Sequence, residues 1–142
     1  MALPFLNRLQ ELVKPGPAPG ESGQQAKAKA RLEAIRAALP ELLAVAVIDI
    51  DSGQALAAHS NSPKLAPAKA AAHNAEVVRQ KRRAIQALAL PDEKIEDILI
   101  TLREQLHLLR VTHDERHLLY LVVSPQDTNL AIARDVLRTH SH

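Results

Sequence analysis

The chain has 142 residues, a formal net charge of +2 and no cysteine. This length corresponds to one domain, or to one domain with a tail, and the charge is too small to indicate nucleic acid by itself. Without cysteine, disulfide frameworks, iron–sulfur clusters and thiolate metal sites are excluded, and we expect a cytoplasmic protein. Only one Tyr and one Phe accompany the aliphatic residues, so the core must consist of Leu, Ile, Val and Ala.

The N-terminal part of the chain differs from the rest. Residues 4–13 carry apolar side chains at helical spacing, and residues 14–23 contain three prolines and three glycines. We therefore predict an amphipathic segment with a linker at residues 1–23 and one folded domain at residues 24–142. The segment is either a frayed tail or a docking helix for a partner.

The first half of the domain reads as helix, hairpin and helix. Residues 24–39 are rich in helix formers, residues 42–50 and 54–59 form two strands, and Gly53 in the turn between them takes a positive φ. Residues 68–88 contain no helix breaker and form the longest helix, in which Pro67 occupies the first turn. Its stripe of small side chains suits close packing on a sheet or on the same helix of a second subunit.

Three strands and a helix follow. Residues 95–102, 106–111 and 116–123 are strand-like and are joined by gaps short enough for hairpins. The last strand is apolar on both faces, so helices must cover both sides of the sheet. A final helix has Ser124 or Asp127 as its expected cap. The order α-β-β-α-β-β-β-α predicts an α+β fold with a five-stranded, mainly antiparallel sheet between helices.

This order of elements resembles the Roadblock/dynein light-chain family, with its Roadblock/profilin-like fold. The similarity lies in "LPELLAVAVID", in the hairpin "DIDSGQALA", in the Ala-rich central helix, and in the stretch from "ILITL" to "ARDVL". The resemblance is to the bacterial-type Roadblock domains that are associated with small GTPases. It covers about residues 24–140, with Glu41 where family members often have glycine.

The resemblance implies function through assembly rather than catalysis. It implies a homodimer in which central helices pair and two sheets join through the third strand. It also implies a scaffold or regulator that binds a small Ras-like GTPase or a larger complex. The alternative is a structural dimerisation module of a signalling assembly without a GTPase partner. The dimer interface predicted on this basis consists of Ala71, Ala75, Val78, Arg82, Ile98 and Ile100.

Candidate chemical sites have simpler structural interpretations. His113 and His117, and His140 and His142, have spacings compatible with a metal, but the sequence places no further ligand beside them. Asp49 and Asp51 form a paired acid site, a metal-binding corner or part of a turn, and the turn is favoured. We therefore expect no catalytic residue, no cofactor and no metal, and we do not expect an enzyme.

The strongest run of charge is "RQKRR" at residues 79–83. On a helix this run covers more than half of the circumference, which favours a solvated face over a single binding surface. A protein partner or acidic lipid is the second interpretation. Nucleic acid is not expected, because aromatic residues for base stacking are almost absent. Membrane association would occur only through a partner, and Arg82 could be lent to the active site of a GTPase.

Overall fold

The computed structural model describes residues 21–142 and contains three helices and five strands. The helices are α1 (Glu21–Ala38), α2 (Pro67–Ala87) and α3 (Leu130–Thr139). The strands are β1 (Ala44–Asp49), β2 (Ala55–Ser60), β3 (Asp97–Thr101), β4 (Leu106–Val111) and β5 (His117–Val123). The predicted order of elements is confirmed. The amphipathic segment predicted at residues 4–13 lies outside the described residues.

All five strands form one antiparallel sheet in the order β2-β1-β5-β4-β3. The central strands β1 and β5 are buried along almost their whole length. Helices α1 and α3 pack on one face of the sheet and α2 packs on the other. This arrangement follows from the sequence, because strands that are apolar on both faces require a cover on both.

Two boundaries differ from the predictions. Helix α1 begins at Glu21, so the boundary predicted between residues 23 and 24 falls inside this helix. The prediction that Ser124 or Asp127 caps the last helix is wrong. Asn129 is the N-cap of α3, and its side-chain oxygen accepts hydrogen bonds from the N–H groups of Ala131 and Ile132. Ser124 instead closes the preceding turn, where its carbonyl accepts the Thr128 N–H.

The predicted positive φ of Gly53 is confirmed, with a value of +74°. A β-carbon at this position would also lie 3.3 Å from the Cα atom of Ala72 on α2. The turn between β1 and β2 therefore packs against the backbone of α2, and only glycine satisfies both conditions.

We expect Gly53→Val to lower the free energy of unfolding by about 2 kcal/mol or more, because it adds backbone strain to a clash with α2. Gly23→Ala is the matched control. Gly23 lies in α1 with open space around it, so alanine there should be neutral or slightly stabilising. Urea denaturation of both variants measures the difference, and equal stability would contradict this account of the turn.

Candidate dimer interface

Strand β3 forms an open edge of the sheet. It pairs with β4 over five residues in regular register, and among the described residues no strand pairs with its other side. No helix within residues 21–142 packs along it, although Arg134 of α3 forms an ion pair with Asp97 at 3.1 Å. A regular edge strand of this kind is a template for pairing with another chain.

The hydrogen bonds at the two ends of β3 fix which backbone groups face outward. The Glu96 carbonyl accepts the Val111 N–H, and the Leu102 N–H donates to the Gln105 carbonyl. Even-numbered residues therefore bond to β4. Because hydrogen-bonded positions alternate in an antiparallel pair, Asp97, Leu99 and Thr101 direct their N–H and C=O groups away from the sheet.

The side chains of β3 alternate between the two faces in the same way. Ile98 and Ile100 are half-buried and pack with the cluster under α2, whereas Leu99 packs with the cluster under α1 and α3. Next to Ile100 in the register lies His107, whose Nδ1 atom is 3.1 Å from the Tyr120 hydroxyl. Burial lowers the pKa of His107.

Three predicted interface residues on α2 belong to the core of the monomer. Ala71, Ala75 and Val78 are at most 1% exposed and pack against the apolar face of their own sheet. A second copy cannot contact these side chains without displacing that sheet. The sequence allowed the stripe of small side chains to pack either on a sheet or on the same helix of a second subunit. In the structure it packs on a sheet.

The arginines of the basic run hold α2 to two turns of the sheet. Arg79 donates to the Ile50 carbonyl in the β1–β2 turn and pairs with Glu76 at 2.8 Å. Arg82 donates to the Glu115 carbonyl, 2.7 Å away, in the β4–β5 turn. Arg82 is therefore occupied within the chain, and Lys81 and Arg83 are the exposed cations of the run.

The outer flank of α2 carries a second apolar stripe that the sequence analysis did not single out. Val77, Ala84 and Leu88 are exposed and share one side of the helix. Asn74 lies on the same side of the helix as this stripe and is beside Tyr120 of β5. Arg79 lies on the opposite side of the helix and contacts the β1–β2 turn. The stripe therefore faces toward β4 and β3. Helical spacing alone could have revealed it, since these residues recur at intervals of seven and four.

Exposed large apolar side chains concentrate on α2, just after it, and at the end of β3. In the described part of the chain they number five, and four of them lie on α2, just after it, or at the end of β3. Those four are Val77, Leu88, Leu90 and Leu102, and the fifth is Ile132 on α3. A concentration of this kind is typical of an interaction surface.

Comparison with solved structures identifies the architecture. MglB of Myxococcus xanthus is similar with a TM-score of 0.68 and 11% sequence identity, over 79% of this chain and 89% of that chain. A structure described as MglB with a tetrameric arrangement gives 0.63 and 18%, over 82% and 90%. The Roadblock/LC7 domain from Streptomyces avermitilis gives 0.58 and 14%, over 72% and 81%. The chain has the Roadblock/LC7 fold.

At sequence identities of 11–18%, these structural similarities establish the Roadblock/LC7 fold and nothing finer. No protein-family model matches the sequence, and no curated protein sequence matches it significantly. The similarity to these solved structures confirms the fold class that the resemblance implied. No helix among residues 21–142 is both long enough and apolar enough to cross a membrane.

The histidines do not form the pairs that their spacing indicated. The rings of His113 and His142 lie 4.8 Å apart, centre to centre, because the C-terminal residues pack on the β4–β5 turn. His117 is not part of this pair; its buried Nε2 atom has no hydrogen-bond partner within residues 21–142, and burial lowers its pKa. No cluster of three or more potential metal ligands occurs in residues 21–142.

The carboxylates of the β1–β2 turn serve the turn. Asp49 accepts the Ser52 N–H at 2.9 Å, and Asp51 is exposed. Burial raises the pKa of Asp49, but the hydrogen bonds from Ser52 and the nearby His117 and Arg116 outweigh it, so that the pKa lies below its usual value. This is the turn interpretation of the Asp49 and Asp51 pair.

Two alanines on α2 separate the core role of this helix from its outer flank. We expect Ala75→Glu to abolish folding or soluble expression, because an unpaired charge would be buried in the core. Ala84→Glu, on the exposed flank, should keep the fold, with a free energy of unfolding within about 0.5 kcal/mol of the native chain in the monomer. Circular dichroism and thermal melting at low protein concentration distinguish them, and a well-folded Ala75→Glu would contradict the assigned packing.

Proposed function

We propose that this chain is a non-enzymatic, homodimeric scaffold or regulator that assembles through β3. The observation that carries the proposal is the open, regular edge of β3 flanked by four of the five exposed large apolar side chains of the described chain. Leaving such an edge unpaired invites aggregation, and a symmetric dimer removes the hazard at both copies. One of the similar structures is described as MglB with a tetrameric arrangement, so that protein assembles from several copies.

The backbone of β3 restricts how two copies can pair. A two-fold axis perpendicular to the sheet keeps α2 on the same face in both copies. Odd-numbered residues of β3 must therefore oppose odd-numbered residues, and even-numbered residues must oppose even-numbered ones. Centring the pair on Leu99 places Asp97 opposite the second copy's Thr101. Each residue whose backbone groups face outward then opposes another such residue of the second copy. The three opposing pairs exchange about six backbone hydrogen bonds. A shift by two residues in either direction leaves some of these groups unpaired.

The same register buries the apolar side chains of the edge. Ile98 of each copy opposes Ile100 of the other, so four isoleucines form one row on the α2 face. The exposed stripe of Val77, Ala84 and Leu88 flanks this row in both copies. Of the six residues predicted at the interface, Ile98 and Ile100 thus keep a direct role in the proposed dimer. Ala71, Ala75, Val78 and Arg82 position α2 on its own sheet instead.

The other edge of the sheet is less suited to pairing. Strand β2 pairs with β1 through a register shift at Val47 and Ile48, which is the signature of a bulge. Bulges increase the local twist and protect edges from pairing. Helix α1 also packs against β2, whereas none of the helices in the described part of the chain packs along β3. These differences favour β3 as the joining edge.

We propose a small Ras-like GTPase as the partner of the dimer, as the resemblance to the Roadblock family implies. Lys81 and Arg83 on α2 offer cations that are exposed at the surface, although Arg83 also lies 3.6 Å from Glu76. Arg82 could be lent to a GTPase only by leaving the Glu115 carbonyl. The proposal includes a cytoplasmic location, no nucleic-acid partner, no cofactor, and membrane association through a partner only. A structural dimerisation module without a GTPase partner is the alternative.

A cysteine scan of β3 tests the dimer directly, since the native chain has no cysteine. We expect Leu99→Cys to form a disulfide-linked dimer on mild oxidation, because the two Cα atoms would be ~5.5 Å apart. Thr101→Cys is the control, with ~13 Å between its two copies along the strands. Self-crosslinking of Ile98→Cys or Ile100→Cys instead would mean a shifted register. Absence of crosslinks at all three positions, with a monomer in light scattering at micromolar concentration, would refute the dimer.

The choice between regulator and structural module needs a binding experiment. We expect small Ras-like GTPases of the source cell, loaded with GTP or with GDP, to bind the immobilised dimer with different affinities in the two states. Lys81→Glu should weaken that binding, whereas Lys27→Glu on exposed α1 should not. No binding in either nucleotide state would favour the structural module.

A further inference from the structure

An open cleft of about 600 Å³ lies between the end of α2, residues 89–95 and the β4–β5 turn. Its apolar lining includes Ile85, Leu90 and Ile95. Charged side chains surround these residues, among them Lys94 and Glu115, which pair at 3.2 Å. The cleft adjoins the start of β3, because Ile95 stands two residues before that strand and packs with the cluster under α2.

The walls of the cleft are fixed by two residues in the left-handed region of the backbone. Ala89 has a φ of 54° and ends α2, and Glu115 has a φ of 63° in the β4–β5 turn. Left-handed geometry strains the backbone of a residue other than glycine. At Glu115 two contacts offset this strain, since its carbonyl accepts from Arg82 and its carboxylate pairs with Lys94. Strain concentrated on both walls indicates a shape that the fold maintains.

The register of the proposed dimer determines what approaches this cleft. When β3 pairs about Leu99, Leu102 of one copy stands opposite Glu96 of the other, beside Ile95 and the cleft. Leu102 still bonds to Gln105 across the β3–β4 hairpin, so it follows the alternation of the strand. Its even number places its side chain on the α2 face, the face that carries the cleft.

Leu102 is otherwise difficult to explain. It is 47% exposed at the tip of a hairpin, a place where polar residues are the rule. The positive charge of Arg103, which follows Leu102, also complements an acidic residue at the cleft. Arg103 makes no ion pair within residues 21–142, and neither does Glu93, which lines the cleft. In the centred register Arg103 of one copy falls opposite residue 95 of the other, two residues from Glu93.

We propose that the β3–β4 hairpin of a second copy occupies this cleft, with Leu102 as the apolar anchor on Ile85, Leu90 and Ile95. This inference rests on the proposed homodimer and specifies where much of its binding energy lies. Each dimer contains two such contacts, one at each end of the paired strands. The partner is another copy of this chain, and a contact by a different protein at this site is excluded while the dimer persists.

Two measurements on the full chain test the proposal. Mixing Glu96→Cys protein with Leu102→Cys protein should give a disulfide-linked heterodimer, since the two residues face each other at ordinary disulfide distance. Leu102→Ala should weaken dimerisation about 100-fold, or about tenfold for each of two symmetric contacts. Ile132→Ala, which removes a more exposed apolar side chain on the opposite face, should leave the dimer unchanged. Analytical ultracentrifugation gives the dissociation constants.

The outcomes separate this inference from the dimer itself. If Leu99→Cys crosslinks but Leu102→Ala dimerises as tightly as the native chain, the dimer stands and the cleft contact is refuted. If Leu102→Cys reacts with neither Glu96→Cys nor a cleft cysteine such as Gln86→Cys, the contact is likewise refuted. If no β3 cysteine crosslinks and the native chain is monomeric, both proposals fail together.

Discussion

The rest of the structure depends on the burial of one sheet whose central strands are apolar on both faces. Strands β1 and β5 cannot face water on either side, so α1 and α3 must lie on one face and α2 on the other. The three helices of residues 21–142 cover the middle of the sheet and do not extend along β3. The open edge follows from that shortage of cover. The proposed pairing with a second copy through β3 would supply partners for its outward-facing backbone groups.

Helix α2 connects the core to this edge. Its small-residue stripe lets the helix lie close to the sheet, and Ala72 approaches Gly53 in the β1–β2 turn. Arg79 and Arg82 then bind the carbonyls of two different turns, which fixes the direction in which the helix crosses the sheet. With the position of α2 fixed in this way, its apolar flank and the cleft at its end have defined places beside β3.

Positive charge on α2 therefore has two uses. The half-buried arginines of the run stabilise the monomer through carbonyl contacts, and the exposed cations remain at the surface. A sequence scan cannot separate them, because all lie within five consecutive residues. What separates them is the rotation of the helix about its axis, which is set by the packing of Ala71, Ala75 and Val78.

The sequence by itself determined the order of elements, the hairpins and the positive φ of Gly53, because these follow from local periodicity and turn chemistry, and its resemblance to the Roadblock family indicated the fold. It misplaced the cap of α3, since Ser124, Asp127 and Asn129 are all good capping residues and the preceding turn selects among them. It also assigned the small stripe of α2 to a dimer contact as well as to the core. Only the tertiary structure decided that this stripe faces its own sheet, and that Leu88, Leu90 and Leu102 remain exposed near one edge. The physical reason is that periodicity identifies which residues share a face, whereas the position of an element in the fold decides what that face meets.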